Sequence, residues 1–195
     1  MTNATIQRKD EVLAAAQALF AERGYPGTSV RDIADSLKIK GGSLYAHIET
    51  KEDLLWDILS VAADRFFGAI GPIVESDLVP IEKLKRAIAA HVEVITGSAA
   101  SAGIYTTEWR HLSEPRRSDF AARRDEYERT FRSLVHDCIR EGSFADVDEK
   151  FATLLILSSI NWIYQWYRPD GPMTPDEIAR KLTEMFFKGL RRAGA

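Results

Sequence analysis

The chain has 195 residues, of which 45% are hydrophobic and 28% charged, enough apolar side chain to bury a sizeable core. This composition excludes an intrinsically disordered chain and a collagen-like fibre. The net charge of −3 argues against a nonspecific polyanion binder, and residues 1–55 carry 7 Lys and Arg against 8 Asp and Glu, so the N-terminal part is not basic either.

An amphipathic helix is predicted over residues 8–22. Its apolar positions recur at helical spacing, at Val12, Ala16, Leu19 and Phe20. Gly24 ends this helix in a turn. A second, short helix follows, capped by Thr28 or Ser29, with Asp32 as the acid of a capping box.

A break at residues 38–42 separates the second helix from a third short segment, 43–48. Two short helices across a tight turn are the arrangement of a helix-turn-helix, in which the second helix enters the major groove of DNA. The spacing alone does not distinguish it from an ordinary helical hairpin. The local charge favours DNA, because residues 38–51 contain three lysines and one acid.

Helical spacing continues through the rest of the chain. Thr50 with Asp53 is a capping box for a helix that is predicted to reach Phe67. A loop is expected over residues 71–80. Further helices are predicted over residues 81–96, 98–111, 118–141 and 151–167, and from Pro175 onward. No segment has strand periodicity, so the expected fold is all-α with about nine helices.

Three stretches of the N-terminal segment resemble the DNA-binding domain of the tetracycline-repressor (TetR) family. They are Thr-Ser-Val-Arg-Asp-Ile-Ala at 28–34, Gly-Ser-Leu-Tyr-Ala-His-Ile at 42–48 and Lys-Glu-Asp-Leu-Leu at 51–55. The resemblance implies a helix-turn-helix DNA-binding domain over residues 1–50 and a ligand-binding and dimerisation domain over residues 51–195. It assigns DNA contacts to Thr28, Lys40, Gly42, Ser43, Tyr45, Ala46, His47 and Lys51, with Gly42 allowing close approach of the backbone and Ala46 meeting a thymine methyl group.

The turn departs from the usual pattern of the family. Lys38 stands where such proteins often carry Gly, Lys40 where a Ser cap is common, and Gly41 where Lys or Arg is frequent. Positive charge missing at one position is supplied by a neighbour. The resemblance further implies a homodimer that represses transcription from a near-palindromic operator and leaves the DNA when a small-molecule effector binds.

A looser resemblance concerns the effector. Residues 108–112, 123–127 and 161–171 are similar to a subgroup of these regulators that responds to acyl-CoA thioesters. It implies a ligand with an apolar acyl part and an anionic, nucleotide-bearing part. Such a ligand needs an apolar channel and cations for its phosphates. The candidates for the channel are Tyr105, Trp109, Tyr127, Phe131, Trp162 and Trp166, and the candidate cations are Arg110, Arg123, Arg124 and Arg168. Aromatic residues at helical spacing equally fit a core or a dimer interface, and exposed arginines a solvated face, so both interpretations stay open.

Segment 151–167 is apolar on almost every side, which predicts a helix that is covered on several faces. With the last helix it is the expected dimer surface, because two helices from each partner form a four-helix bundle. One helix-turn-helix reads only a half-site, so DNA recognition also needs the second copy. Ligand between the central helices is expected to shift the helix that begins at Lys51 and thereby the spacing of the two recognition helices.

An enzyme is not indicated. The chain has four histidines, one cysteine, no His-x-x-x-His or Cys-x-x-Cys pair and no glycine-rich phosphate loop, so we predict no catalytic residue, no metal and no cofactor. No uncharged run is long enough for a membrane span and the start is polar, so we expect a cytoplasmic protein with no membrane contact. A free fatty acid, an aromatic acid or a drug as effector remains an alternative, as does a helical interaction module without DNA binding.

Overall fold

In a computed structural model the described residues are 3–45 and 48–190, with only the backbone described for residues 3–8, 41 and 43. This part of the chain contains helices and no strand, which confirms the predicted all-α fold. The helices are α1 (Asn3–Arg23), α2 (Val30–Ser36), α3 (Gly41–Leu44), α4 (Lys51–Val74), α5 (Pro80–Gly97), α6 (Ala99–Thr107), α7 (Arg116–Arg140), α8 (Glu149–Asn161), α9 (Ile163–Trp166) and α10 (Pro175–Leu190), with a 3₁₀ turn (Glu108–His111) between α6 and α7. Eight α-helices have seven residues or more, whereas α3 and α9 are single turns.

The chain divides into two compact units. The first contains residues 1–63 and 100–120, and the second contains residues 64–99 and 121–195. The predicted boundary at residue 50 divides the sequence into two consecutive parts. The compact units are not consecutive in this way, because residues 100–120 belong to the same unit as the N-terminal helices.

Both capping boxes predicted in the N-terminal segment are present. At the start of α2 the Ser29 N–H donates to the Asp32 carboxylate (2.7 Å) and the Asp32 N–H to the Ser29 hydroxyl oxygen (3.1 Å). Thr50 and Asp53 make the same pair of bonds at the start of α4, at 2.7 and 3.2 Å. The bonds from Ser29 hold the pKa of Asp32 below its ordinary value. Each box satisfies N–H groups that the first helical turn leaves without an intrahelical acceptor.

The turn between α2 and α3 closes through Lys38, which has a left-handed backbone with φ of +56°. The Ile39 N–H donates to the Ala34 carbonyl (3.0 Å) and the Lys38 N–H to the Asp35 carbonyl (3.1 Å), the Schellman pattern of a helix end. Glycine is usual at this position because it has no Cβ to clash. Lysine therefore keeps the turn geometry at a local cost of about 1 kcal/mol.

The core of the first unit includes the predicted apolar face of α1. Its buried side chains come from α1 to α4 and from residues 100–120: Val12, Ala16, Leu19, Phe20, Ile33, Ala34, Leu44, Leu54, Leu55, Ile58, Leu59, Ile104, Tyr105, Leu112 and Phe120. Residues 100–120 thus complete the core around the helix-turn-helix, and the hydrophobic effect holds them there.

The second unit is built around α5, which contacts α8, α9 and α10. Six residues of α5 are buried, and α7 adds an almost fully enclosed row at Phe131, Leu134, Val135 and Cys138. Burial and the nearby Glu141 and Asp137 raise the pKa of the Cys138 thiol to about 12, so this cysteine is an inert core residue. The predicted start of α10 is confirmed by a capping box between Thr174 and Glu177.

Three expectations about helix extent were wrong. α4 continues to Val74 through Pro72, and the loop is confined to residues 75–79, because a proline near the end of a helix forfeits only one hydrogen bond. Residues 98–111 form α6 and the 3₁₀ turn instead of one helix, and residues 151–167 break at Trp162 into α8 and α9. Within segment 151–167, Ile156, Ile160 and Ile163 are buried in the single chain, whereas Phe151, Leu154, Leu155, Trp162 and Trp166 are exposed on its other faces.

Across the described ranges, no single helix is long and apolar enough to cross a membrane; α5 and residues 99–111 reach that length and composition only as a bent pair.

Candidate DNA-binding and ligand-binding residues

The surface of the helix-turn-helix presents three of the predicted DNA contacts. Lys40 and Gly42 are exposed, and the Tyr45 ring is 58% exposed. A Cβ added at Gly42 would meet no atom within 4 Å, so the fold does not require glycine there. Because Gly42 has no side chain, a partner can approach the backbone closely at this position.

Three other predicted contacts are not described in the same detail. Ala46 and His47 lie outside the described residues, and of Ser43 only the backbone is described. Arg31, to which the resemblance assigns no DNA contact, lies on the first turn of α2 with its side chain 88% exposed and 3.7 Å from the Asp35 carboxylate. An exposed pair of this length is weak, so the guanidinium is free to exchange its partner for a phosphate.

Thr28 does not fit the predicted phosphate contact. Its side chain is buried, and its hydroxyl lies within hydrogen-bond distance of the Leu19 carbonyl (3.2 Å) and the Gly24 carbonyl (3.0 Å). A threonine hydroxyl has one proton, and here it is directed into the protein. Thr28 therefore fastens the end of α1 to the turn that follows it.

The Lys51 ammonium is directed at backbone carbonyls of the same unit. It donates to the carbonyl oxygens of Tyr25 and Thr28, both at 2.8 Å, and lies 4.0 Å from the centroid of the Tyr25 ring. Burial lowers the pKa of Lys51 below its ordinary value. Two of its three N–H donors are used by the turn between α1 and α2, so this lysine supports the site from inside.

Residues 108–116 contact the same turn and the start of α4. Glu108 accepts the Tyr25 N–H at 2.9 Å, and Arg116 donates to Asp53 at 2.7 Å. Although burial alone would raise the pKa of Asp53, the bonds from Arg116 and Thr50 lower it. These partners are more than 60 positions apart, and no local sequence signal could have paired them.

The predicted ligand residues of the first unit form an aromatic group. The Tyr105 ring meets Phe120 edge to face at 5.5 Å, and the Trp109 ring lies 6.2 Å from Phe120. The Arg110 guanidinium is 5.2 Å from the centroid of Trp109. Tyr105 is buried and belongs to the core, whereas Arg110 is exposed.

Tyr127 and Phe131 lie in the core of the second unit, around a buried histidine. The His91 Nδ1 is 2.9 Å from the Tyr127 hydroxyl, and its Nε2 is 3.2 Å from the Asn161 Oδ1. Rings of Phe66 and Phe131 lie 4.7 and 6.1 Å from the imidazole. Burial lowers the pKa of His91 to about 3, with the nearby Arg124 acting in the same direction. The imidazole is therefore neutral, with Nε2–H donating to Asn161 and the Tyr127 hydroxyl donating to Nδ1.

The remaining predicted ligand residues lie at the surface of the second unit. Trp162 is 60% exposed, Trp166 is 42% exposed and Arg168 is exposed. Arg123 lies beside Phe67 and donates to Asp64 at 2.7 Å. Tyr127 and Phe131 are thus brought together, while the two tryptophans lie on the surface of the unit.

Two family models match the chain. One, bacterial regulatory proteins of the tetR family, matches residues 12–58, and the other, a tetracyclin repressor-like C-terminal domain, matches residues 77–190. The second match alone covers more than half of the chain. The chain belongs to the TetR family. It is therefore a DNA-binding transcriptional repressor and not an enzyme, as the resemblance of residues 28–55 predicted.

Relatives within the TetR family cover almost the whole chain. The HTH-type transcriptional repressor KstR2 of Mycobacterium tuberculosis (strain ATCC 25618 / H37Rv) is 34% identical over 96% of this chain and 94% of its own length. The structure of the ketosteroid transcriptional regulator KstR2 of Mycobacterium tuberculosis matches with a TM-score of 0.89 at 32% identity, covering 98% of this chain and 97% of that one. A crystal structure of AibR in complex with isovaleryl coenzyme A and operator DNA matches with a TM-score of 0.84 at 29% identity, covering 92% of this chain and 98% of that one.

Proposed function

We propose that this repressor binds its operator as a homodimer in the cytoplasm and leaves it when an acyl-CoA thioester binds the C-terminal part of the chain. The observation that carries the DNA-binding half is the exposed surface around Lys40, Gly42 and Tyr45. On it, a cation, a position without a side chain and a phenol hydroxyl are available together. These are groups that contact phosphates and allow a helix to approach base edges closely.

The residues proposed to touch DNA are Lys40, Gly42, Ser43, Tyr45, Ala46 and His47, with Arg31 added. Thr28 and Lys51 are proposed as internal supports of the turn, because their polar groups donate to backbone carbonyls. This division is testable, since removal of a phosphate contact lowers the salt dependence of binding and removal of a support does not.

The dimer is proposed from the exposed apolar residues of α8 and α10. Phe151, Leu154 and Leu155 are exposed on α8, and Met185 is 71% exposed on α10. Exposed apolar groups of this size stabilise an association that removes them from water, at roughly 25 cal/mol per Å². A second copy of the same helices completes a four-helix bundle.

The acyl-CoA effector is proposed from the pairing of aromatic and cationic groups. Trp162 and Trp166 expose flat apolar surface close in sequence to Arg168, a combination that suits an acyl-CoA, which joins an apolar chain to anionic phosphates. The structurally similar AibR was crystallised in complex with isovaleryl coenzyme A, and this complex supports the same class of ligand here. Free fatty acids, aromatic acids and drugs are the alternatives within the same mechanism.

The test begins with a DNA duplex selected from a random-sequence library by the wild-type protein. The complex is then titrated with isovaleryl-CoA, with longer acyl-CoA thioesters and with the corresponding free acids, and DNA release is followed by fluorescence anisotropy. We expect thioesters to release the DNA and free acids to leave it bound. Release by free acids alone would reject the CoA proposal, and light scattering that shows a monomer on and off DNA would reject the dimer.

A further inference from the structure

The turn between α1 and α2 is held by a segment that is distant in sequence. The Tyr25 N–H donates to a Glu108 carboxylate oxygen at 2.9 Å, across 83 positions of the chain. The Glu108 side chain is only 16% exposed, and its second oxygen lies 3.0 Å from the Thr107 hydroxyl, whose proton is shared with the Gly103 carbonyl at 2.9 Å. A hydrogen bond to a carboxylate is stronger than a neutral one, so Glu108 fixes the backbone of the turn firmly.

The carbonyl and the ring of Tyr25 also have partners at this turn. Its ring stacks on His111 at 5.8 Å and lies 4.0 Å from the Lys51 ammonium. Its carbonyl accepts from the same ammonium, which also bonds the Thr28 carbonyl. The residue that precedes the helix-turn-helix is thereby held through its N–H, its C=O and its ring.

The same segment also holds the first turn of α4, which follows the helix-turn-helix. The Ser113 hydroxyl donates to the Glu52 carboxylate at 2.8 Å, and Arg116 donates to Asp53 at 2.7 Å while lying 5.7 Å from the Trp56 ring. We call residues 108–116 the clamp segment. It contacts the chain both before α2 and after α3, so it sets the position of both ends of the helix-turn-helix.

We propose that Glu108 is a positioning residue for DNA binding, acting through Tyr25, and that the clamp segment passes the effector state to the helix-turn-helix. The second part rests on the proposed effector function. The clamp segment joins α6 to α7, and α7 is one unbroken helix that carries Arg116 at its start and Tyr127 and Phe131 further along. A shift of that helix moves Arg116 with it, and a shift of the 3₁₀ turn moves Glu108 away from the Tyr25 N–H.

The sign of the Glu108 effect separates this proposal from simple electrostatics. DNA repels a carboxylate, so removal of an acid from a DNA-binding domain strengthens binding if charge alone matters. Positioning through Tyr25 predicts the opposite, because the turn loses its anchor. The matched control is Glu22→Gln, which removes an exposed acid near the same turn whose carboxylate pairs with Arg23.

The first experiment measures the Tyr25 amide directly in the full-length protein. Hydrogen exchange of this amide is followed by NMR in the wild type, Glu108→Gln, Glu108→Ala and Glu22→Gln. We expect exchange at least about tenfold faster in Glu108→Ala, an intermediate rate in Glu108→Gln, which keeps a neutral acceptor, and no change in Glu22→Gln. Wild-type protection of the Tyr25 amide in Glu108→Ala overturns the proposal, and this readout needs neither DNA nor effector.

The second experiment measures affinity for the duplex selected by the wild type at several salt concentrations. Glu108→Ala is expected to bind about five- to tenfold more weakly with an unchanged slope of log K against log salt, because no phosphate contact is lost. Glu22→Gln is expected to bind as the wild type or more tightly. Equal or tighter binding by Glu108→Ala overturns the positioning role. Failure of the wild type to select any duplex contradicts the DNA-binding assignment instead, and leaves the amide-exchange result standing as the test of the clamp.

The third experiment tests the passage of the effector state. Tyr25 exchange is measured in the wild type with saturating isovaleryl-CoA, or with whichever thioester releases the DNA. Faster exchange with the releasing ligand supports the clamp segment as the route. An unchanged rate in the presence of a ligand that releases DNA overturns this part of the proposal.

Discussion

The buried histidine His91 makes folding sensitive to mild acid. Its side chain is 1% exposed, both ring nitrogens have hydrogen-bond partners, and its pKa is lowered from 6.5 to about 3. The unfolded chain binds a proton at His91 below about pH 6.5, whereas the folded chain does not do so until about pH 3. His91 therefore contributes its full stability above pH 6.5, and this contribution falls as the pH is lowered from 6.5 towards 3.

The size of the effect follows from the two pKa values. Each pH unit within the window costs up to about 1.4 kcal/mol, so the free energy of unfolding falls by about 2 kcal/mol between pH 7 and pH 5 on account of His91 alone. Most carboxylates stay ionised over this interval, so it isolates histidines. A loss of about 2 kcal/mol is a large part of the stability of an ordinary domain.

The assay is urea unfolding followed by circular dichroism at pH 7, 6 and 5 and at a fixed protein concentration. His91→Gln cannot bind a proton, so its stability is expected to be lower at pH 7 but to lose about 2 kcal/mol less than the wild type on going to pH 5. His136→Gln is the control, since His136 is an exposed histidine paired with Glu149, and the contribution of His91 should remain in it. A parallel pH dependence of the wild type and His91→Gln would refute the reasoning, as would an NMR titration of His91 near pH 6.

Four further substitutions test the turn, its supports and its exposed surface. Lys38→Gly removes the Cβ from a left-handed backbone, so urea unfolding should show a free energy of unfolding higher by up to about 1 kcal/mol. The same change removes an exposed positive charge and should weaken DNA binding. A lower free energy of unfolding would contradict the proposed backbone strain at Lys38. Gly42→Leu should leave the melting temperature unchanged, because a Cβ at this position meets no atom within 4 Å. Fluorescence anisotropy should show operator affinity reduced severalfold. Unchanged affinity would mean that Gly42 does not lie in the DNA interface. Thr28→Val should lower the free energy of unfolding by about 1–2 kcal/mol and leave the slope of log K against log salt for DNA binding unchanged. Lys40→Ala should reduce this slope by about 1 per phosphate contact. A changed slope in Thr28→Val would support a phosphate contact by Thr28 after all.

Features that depend on residues three or four positions apart could be predicted from the sequence. The capping boxes at Ser29 and Thr50 are examples, because spacing alone determines whether the acid reaches the helix start. The apolar face of α1 is another, since helical period fixes which side chains share a side. The same reasoning misjudged Pro72, because a strong local signal for a break competes with the packing of the helix around it.

Contacts between distant positions could not be predicted in this way. The Tyr25–Glu108 bond joins positions 83 apart, and nothing in either neighbourhood distinguishes this acid from the others. Burial is equally non-local, so the resemblance that assigns Thr28 and Lys51 to DNA contains no information on where their polar groups point. In the folded unit those groups reach backbone carbonyls, and only the exposed members of the motif, such as Lys40 and Tyr45, remain at the surface.

The negative total charge is compatible with DNA binding because the basic side chains within positions 1–55 differ in where their charges lie. Lys9 pairs with Asp57 at 2.9 Å, and Lys51 is turned towards backbone carbonyls, so neither adds freely to the field at the surface. Lys38 and Lys40 flank the Schellman turn and are exposed, with no ion pair to the described residues, and Arg31 has only a weak one. A few cations on one small surface attract phosphates at short range, while salt screens the net charge of −3 at distances beyond the Debye length. Because so few cations are available, we expect low affinity for random DNA, and tight binding only where the two copies of the proposed dimer meet two half-sites at once.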